Sequence, residues 1–187
     1  MRLVLQIARD AAGEDCPIAC IIIRNGCEVA RAVNEVEARG DPTAHAELLC
    51  IQRACSALKT RYLDDCILYC TLEPCPMCEW AINLARVGAV VFGAFRSGYS
   101  ICYKQDINNS SPSFVERVAT TRDEGKVIAE RLSNDFEENQ IAEIGKEGRA
   151  GINAPKAFRS KIIGGVLEKE CSELLSSFFL SVRKINQ

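Results

Sequence analysis

Histidine is almost missing from this chain, which has one, His45, among 187 residues. An excess of charge of one sign is missing too, because 23 basic and 25 acidic residues leave a formal net charge of −2. This balance excludes a whole-molecule field that attracts nucleic acid, although a local basic stripe is compatible with it. The first ten residues are too few and too charged for a signal sequence or a membrane span. We therefore expect a cytoplasmic protein with no membrane partner.

Cysteine, in contrast, is abundant. The chain has 11 cysteines, an odd number, and most of them lie inside apolar runs. We interpret them as small buried hydrophobic side chains of a protein in a reducing compartment. Disulfide bonds are the alternative, and the length of the chain and the missing secretory signal argue against them.

Apolar periodicity predicts strands that alternate with helices. Residues 18–23 form a continuous apolar run, and residues 27–33 follow it across Asn25-Gly26, a pair typical of a hairpin turn. The other predicted elements are helices near 3–11, 44–59, 74–85 and 165–184 and strands at 67–71 and 88–94. This alternation predicts a layered α/β domain, and 48% hydrophobic residues suffice for one sizeable core.

The composition changes after Tyr103. Residues 104–161 are rich in Asn, Ser, Gly and charge, with scattered apolar residues. We interpret them as an appended lid or partly mobile insertion, because they offer little apolar surface for the core of a second domain, which is the alternative. An interrupted apolar stripe predicts a helix over 114–136. The expected division is a core of residues 1–103, this insertion of residues 104–161, and a C-terminal helix of residues 162–187 that completes the core.

The single histidine opens the string His45-Ala46-Glu47, thirty residues before the first cysteine of Pro74-Cys75-Pro76-Met77-Cys78. One imidazole and two thiolates leave a tetrahedral zinc ion one open position for water, as catalytic zinc sites do. Both strings fall at predicted helix starts, where free backbone N–H groups favour anionic thiolates. Zinc would lower the pKa of its bound water and make zinc-bound hydroxide the nucleophile. Glu47 is placed to shuttle protons from that water to a ring nitrogen and then to the leaving ammonia.

Each half of this pattern also has a simpler interpretation. A Cys-x-x-Cys pair alone is typical of redox proteins, and a solitary histidine before a helix is more often a cap or core residue than a ligand. The combination of His45, Glu47 and the cysteine pair favours zinc over both readings. H-x-E followed by P-C-x-x-C is the signature of zinc deaminases.

Three segments carry a resemblance to a known superfamily: residues 41–47 (DPTAHAE), 71–78 (TLEPCPMC) and 85–94 (ARVGAVVFGA). They resemble the cytidine deaminase-like superfamily and, within it, the bacterial tRNA adenosine deaminases. The similarity covers about residues 3–95 and returns in the final helix. The implied fold has three α/β layers, with a central five-stranded mixed sheet and helices on both faces.

The resemblance implies the metal site and the reaction. His45, Cys75 and Cys78 would hold one zinc ion per subunit, and Glu47 would be the catalytic proton shuttle. The implied reaction is the hydrolytic deamination of adenosine to inosine at the wobble position of a tRNA anticodon. The expected partners are the tRNA anticodon loop and a second copy of the chain in a homodimer.

The resemblance also implies a substrate pocket. Asn34, by itself a typical turn residue, would contact the base or ribose of the flipped nucleotide. We expect Thr43, Ala46 and Pro74 to belong to the same pocket. Glu79 and Trp80 stand where the family usually has small residues, and we expect them to reshape the pocket or the dimer contact.

The substrate is less strongly indicated than the chemistry. A free guanine or cytosine deaminase is the alternative, because those relatives share the same motifs and the acidic composition favours a small substrate. The resemblance of the last helix favours the tRNA enzyme. A catalytically inactive, zinc-binding partner subunit is a further alternative, against which Glu47 argues. An RNA substrate would call for a phosphate-binding rim, for which the candidates are Arg24, Arg39, Arg53, Arg61, Arg86 and Arg96.

Overall fold

A computed structural model describes residues 1–11, 13–96, 115–117 and 160–185. Helix α1 (Arg2–Asp10) precedes the predicted hairpin of β1 (Ala19–Arg24) and β2 (Cys27–Val33). Asn25 and Gly26 join the two strands with φ angles of 49° and 74°. Positive φ at both central residues is what a type I′ turn requires, and the Asn-Gly pair adopts it readily. The hairpin prediction is confirmed.

The remaining elements extend the same alternation. They are helix α2 (Val36–Arg39), helix α3 (Ala46–Leu58), strand β3 (Cys66–Leu72), helix α4 (Pro76–Leu84), strand β4 (Ala89–Ala94), strand β5 (Val115–Arg117), strand β6 (Ser160–Ile163) and helix α5 (Glu168–Ile185).

The strands form one mixed sheet in the order β2-β1-β3-β4-β6-β5. Strand β1 is antiparallel to β2 and β3, whereas the β3–β4, β4–β6 and β5–β6 pairs are parallel. Five of these strands make up the expected mixed sheet, and the three-residue strand β5 adds a sixth. The helix predicted over 114–136 is wrong at Val115–Arg117, because these residues satisfy their backbone groups by pairing with β6. The rest of that prediction lies outside the described residues.

Helices cover both faces of the sheet. Cys20 and Ile22 of β1 pack in the main core with residues of α3, such as Cys50. The alternate residues Ala19 and Ile21 pack against α1. This period of two explains why the run 18–23 is apolar throughout, since both faces of β1 are buried.

Helix α5 packs on strand β4 beside α1. Leu5, Ala94 and Cys171 form a cluster there. Strand β6 spans the proposed boundary between residues 161 and 162, and the division of the chain into three parts stays a prediction. The ten cysteines in the described ranges are free thiols. None of the helices in those ranges is long and apolar enough to cross a membrane.

Candidate metal centre and catalytic site

The two motifs meet because helices α3 and α4 begin side by side. His45 is the N-cap residue of α3 and Cys75 that of α4, both with extended backbone angles. Pro76 occupies the start of α4, where a missing N–H costs nothing. Before α3, the Asp41 carboxylate accepts hydrogen bonds from the backbone N–H and the hydroxyl of Thr43, at 2.8 and 2.7 Å. His45 thus precedes the helix by one residue, rather than lying in its first turn as expected.

Three donor atoms converge at these helix starts. His45 Nδ1 lies 3.5 Å from Cys75 Sγ and 3.5 Å from Cys78 Sγ, and the two sulfurs are 3.5 Å apart. A tetrahedral zinc ion with Zn–N of about 2.0–2.1 Å and Zn–S of about 2.3 Å separates its ligands by about 3.5–3.8 Å. The donor set therefore fits zinc in both chemistry and spacing. Among the described residues, His45, Cys75 and Cys78 form the one cluster of three or more side chains that could bind a metal ion.

The electrostatics of the thiol pair favour a thiolate. The pKa of Cys75 is lowered to about 5, mainly by a hydrogen bond from the Cys78 thiol and also by the backbone N–H of Cys78 and the nearby His45, against the effect of burial. The pKa of Cys78 is raised, because it donates to Cys75 and is buried. One sulfur is thus ready to bind a cation, and a metal between the two would displace the remaining proton.

Glu47 lies in the first turn of α3 and its residue is only 3% exposed. Burial raises the pKa of its carboxyl group, its own backbone N–H opposes this rise, and the Cys75 thiolate adds to it. The nearby His45 and Arg96 act in the opposite direction and lower the pKa of this carboxyl group. A buried carboxyl group beside a metal centre has the chemistry of a proton donor and acceptor.

The four predicted substrate residues flank the same region. Asn34 is half-buried at the end of β2, where the backbone N–H of Glu35 donates to the Ala44 carbonyl at 3.0 Å, just before the metal centre. Three others lie next to the metal-centre residues in the chain: Thr43 is exposed, and Ala46 and Pro74 are buried. Thr43, Ala46 and Pro74 are thus within two residues of a metal ligand, Asn34 is linked to that segment through the bond from Glu35 to Ala44, and the role of all four as substrate contacts stays a prediction.

Sequence reasoning missed a clamp on the segment before Cys75. Glu73 is 3% exposed, and its carboxylate accepts from the backbone N–H of Arg96 at 2.9 Å. Its own N–H donates to the Ala94 carbonyl at 2.9 Å, and the Arg96 guanidinium donates to the Glu73 carbonyl at 3.3 Å. These bonds tie the ends of β3 and β4 together. The sequence feature that could have indicated this clamp is the glutamate directly before Pro74, at the end of a predicted strand.

The candidate arginines of a phosphate-binding rim differ in their environment. Most have a partner on the protein: Arg24 pairs with Asp65, Arg39 and Arg53 pair with Glu35, and Arg61 and Arg86 stack on Tyr62. Arg96 lies beside the site, and its Nε is buried without a hydrogen-bond partner among the described residues. The rim itself stays a prediction.

The structure combines a mixed sheet between helices with one imidazole and two thiolates at adjoining helix starts. This combination is typical of the class of zinc-dependent deaminases. Comparison with known families agrees. The chain belongs to the family described as cytidine and deoxycytidylate deaminase zinc-binding region, which matches residues 1–94. Family membership supports deaminase chemistry and a zinc cofactor, as the motifs predicted.

Individual relatives act on different substrates. The tRNA-specific adenosine deaminase of Bacillus subtilis is 34% identical over 170 residues, which are 91% of this chain and 80% of that protein. The guanine deaminase of the same organism is 47% identical over 83 residues, 44% of this chain and 53% of that protein. The chain thus spans about half the length of several curated relatives.

A solved structure is similar over nearly the whole chain. It comes from "Biochemical and Structural Studies of A-to-I Editing by tRNA:A34 Deaminases at the Wobble Position of Transfer RNA". The TM-score is 0.59 and the identity 26%, with 93% of this chain and 96% of that chain covered. The predicted cytidine deaminase-like fold is therefore confirmed.

Proposed function

We propose that this chain converts adenosine to inosine at the wobble position of a tRNA anticodon. The observation that carries the proposal is the extent of similarity. The match to a tRNA-specific adenosine deaminase runs over 91% of the chain, whereas the match to a guanine deaminase covers 44%. The 170-residue match is long enough to include both metal motifs and the C-terminal helix, whereas the solved B. subtilis guanine deaminase covers 73% of this chain at 33% identity.

The side chains of the site suit each step of the hydrolysis. His45, Cys75 and Cys78 would hold a zinc ion, which would supply Lewis-acid activation of water. Glu47 takes one proton from the attacking water and delivers it to a ring nitrogen of the base, and the second proton of the same water passes to the amine, which leaves as ammonia. Adenosine and water thus yield inosine and ammonia. Burial favours the protonated carboxyl group, which lets Glu47 hold the proton between the two transfers.

Guanine deamination is the second candidate, because identity to the B. subtilis guanine deaminase reaches 47% in the matched region. A panel of substrates separates the two. Full-length, zinc-loaded protein is incubated with an anticodon stem-loop RNA, guanine, cytosine or free adenosine, and ammonia is measured. We expect one ammonia per RNA and none from an RNA with guanosine at the wobble position. Turnover of guanine without turnover of RNA would overturn the proposal, and no turnover at all would favour an inactive partner subunit.

Salt dependence provides a second arm of this experiment. Contacts to phosphates release counterions, so log affinity for single-stranded RNA falls with log salt by about 0.7 per contacted phosphate. We expect such a slope for the stem-loop in spite of the net charge of −2, because a balanced total charge is compatible with a local basic surface. An affinity that does not change with salt would argue against phosphate contacts.

We further propose that the enzyme acts in the cytoplasm as a homodimer. Free thiols among the described residues agree with a reducing compartment. Exposed apolar side chains on α4, Trp80 and Leu84, support association between copies.

A further inference from the structure

Asp15 lies in the loop between α1 and β1 and accepts three hydrogen bonds. Its Oδ1 accepts from the Asn34 side-chain Nδ2 at 3.0 Å and from the Glu37 backbone N–H at 2.9 Å. Its Oδ2 accepts from the Ala38 backbone N–H at 3.0 Å. Two of the three donors belong to the backbone at the start of α2, so the carboxylate cannot rotate without losing them. Asp15 is therefore a fixed acceptor facing Asn34.

A fixed acceptor dictates the orientation of the amide that it meets. The amide of Asn34 can turn either its oxygen or its NH2 group toward a neighbour. An ionised carboxylate accepts but does not donate, so only the NH2 group of Asn34 can face Asp15. The carbonyl oxygen Oδ1 of Asn34 is then held on the side away from Asp15, where it presents an acceptor.

Two observations place this pair beside the metal centre. The backbone bond from Glu35 to the Ala44 carbonyl joins the end of β2 to the residue before His45. The loop also shares its electrostatic surroundings with the site: burial and Asp15 raise the pKa of Cys16 to about 11, whereas Arg96 opposes them. Arg96 acts on Glu47 as well. The loop that carries Asp15 is thus tied, through Asn34 and the bond from Glu35 to Ala44, to the segment that leads into His45.

We propose that Asp15 is a positioning residue that turns the Asn34 amide so that its Oδ1 accepts a hydrogen bond from the substrate. The inference rests on the proposed function, because it takes Asn34 as a substrate contact. A ligand group that bonds to this oxygen must be an O–H or N–H donor. In an adenosine residue of RNA, the 3′ and 5′ oxygens are esterified and the only N–H donor of the base is the amine that leaves. The 2′-hydroxyl is the remaining donor, so the pair selects ribose over deoxyribose.

Substitutions at Asp15 test this role in the full-length, zinc-loaded enzyme. Asp15→Asn replaces the obligate acceptor with an amide that cannot accept from Asn34, Glu37 and Ala38 all at once, so the orientation of the Asn34 amide is no longer enforced. We expect kcat/KM for the stem-loop RNA to fall about tenfold, the effect of one oriented hydrogen bond. In an Asn34→Ala background, Asp15→Asn should have little further effect, since the two residues act through one contact.

The sugar of the target nucleotide gives a readout that a purely structural role would not change. Replacing the wobble adenosine with 2′-deoxyadenosine should lower kcat/KM of the wild-type enzyme but change that of Asp15→Asn much less. Asp65→Asn, which removes an exposed carboxylate paired with Arg24, is the matched control and should keep the wild-type preference for ribose. Additive losses in the double variant, or an intact ribose preference in Asp15→Asn, would overturn the proposal.

A second variant guards against a folding defect. Asp15→Ser keeps an oxygen that can accept from the start of α2, yet its hydroxyl can both accept and donate and no longer dictates the Asn34 orientation. We expect it to retain the zinc content and melting temperature of the wild type and to lose the ribose preference. If both variants deaminate RNA and keep the preference for ribose, the role of Asp15 is refuted while the proposed function stands. Wild-type enzyme that leaves RNA unchanged would instead refute the proposed function.

Discussion

Glu47 and the three metal-binding side chains serve different steps, so substitution at Glu47 separates them. Glu47→Gln keeps the shape of the side chain but removes its ability to carry a proton. We expect zinc content to stay at one per subunit, because the ligand set of His45, Cys75 and Cys78 is unchanged. Turnover should fall by about 10²–10⁴-fold, the usual contribution of a general acid–base group.

Ammonia release and metal analysis on the same sample check this expectation. Glu28→Gln is the matched control, because Glu28 lies at the start of β2, next to the hairpin turn, and pairs with Arg31 at the surface. Normal turnover of Glu47→Gln would show that another group moves the proton. Loss of zinc from this variant would show that Glu47 supports the metal centre itself.

At the scale of single residues, the sequence predicts metal ligands better than the residues that hold the site in position. His45, Cys75 and Cys78 were found from residue type and spacing, because metal binding needs particular atoms at helix starts. Asp15 and Glu73 were missed, since their roles depend on partners 19 and 23 residues away in the chain. An acidic residue in a loop gives no sign of which distant amide it will meet.

At the scale of elements, the packing of α5 on β4 depends on Gly93. A Cβ atom there would lie 2.3 Å from Cys171 Sγ and 2.8 Å from the Thr71 carbonyl oxygen. Gly93→Ala therefore forces the helix or the strand to move, and we expect a loss of about 1–3 kcal/mol in the free energy of unfolding. Urea denaturation of the zinc-loaded protein measures it.

Two further variants make this test specific. Gly13→Ala is the control, because its nearest neighbour would be the Ala11 carbonyl at 3.8 Å, an ordinary contact. Adding Cys171→Ala to Gly93→Ala should recover part of the loss, since the sulfur clash disappears and the contact with the Thr71 oxygen remains. Equal stability of Gly93→Ala and wild type would contradict this packing of α5.

The elements that the sequence predicted are those with a strong local pattern. The hairpin was found from Asn25-Gly26 between apolar runs, and β4 from the apolar run 88–94, whose strand residues are all buried in the structure. Helix α2 was missed because four residues carry no helical period, and it ends in Gly40 at a φ of 59°. Strand β6 was missed because its pairing with β4 joins segments about seventy residues apart. Long-range pairing leaves little trace in a short local window.

At the scale of the whole molecule, the proposed homodimer has two competing apolar surfaces. Trp80 and Leu84 lie one helical turn apart on α4 and are 54% and 75% exposed. Phe179 and Leu180 on α5 are 52% and 58% exposed. We expect the α4 surface to form the contact, because α4 begins at the metal ligands and a partner there lies close to the site.

Sedimentation of the zinc-loaded protein tests both the dimer and its surface. Wild type should sediment with twice the mass of the chain. Trp80→Lys combined with Leu84→Lys should give a folded monomer that retains zinc, because two buried charges would oppose association. The matched pair Phe179→Lys and Leu180→Lys on α5 should leave the dimer intact. A monomer formed only by the α5 pair would move the interface to α5, and a monomeric wild type would refute the homodimer.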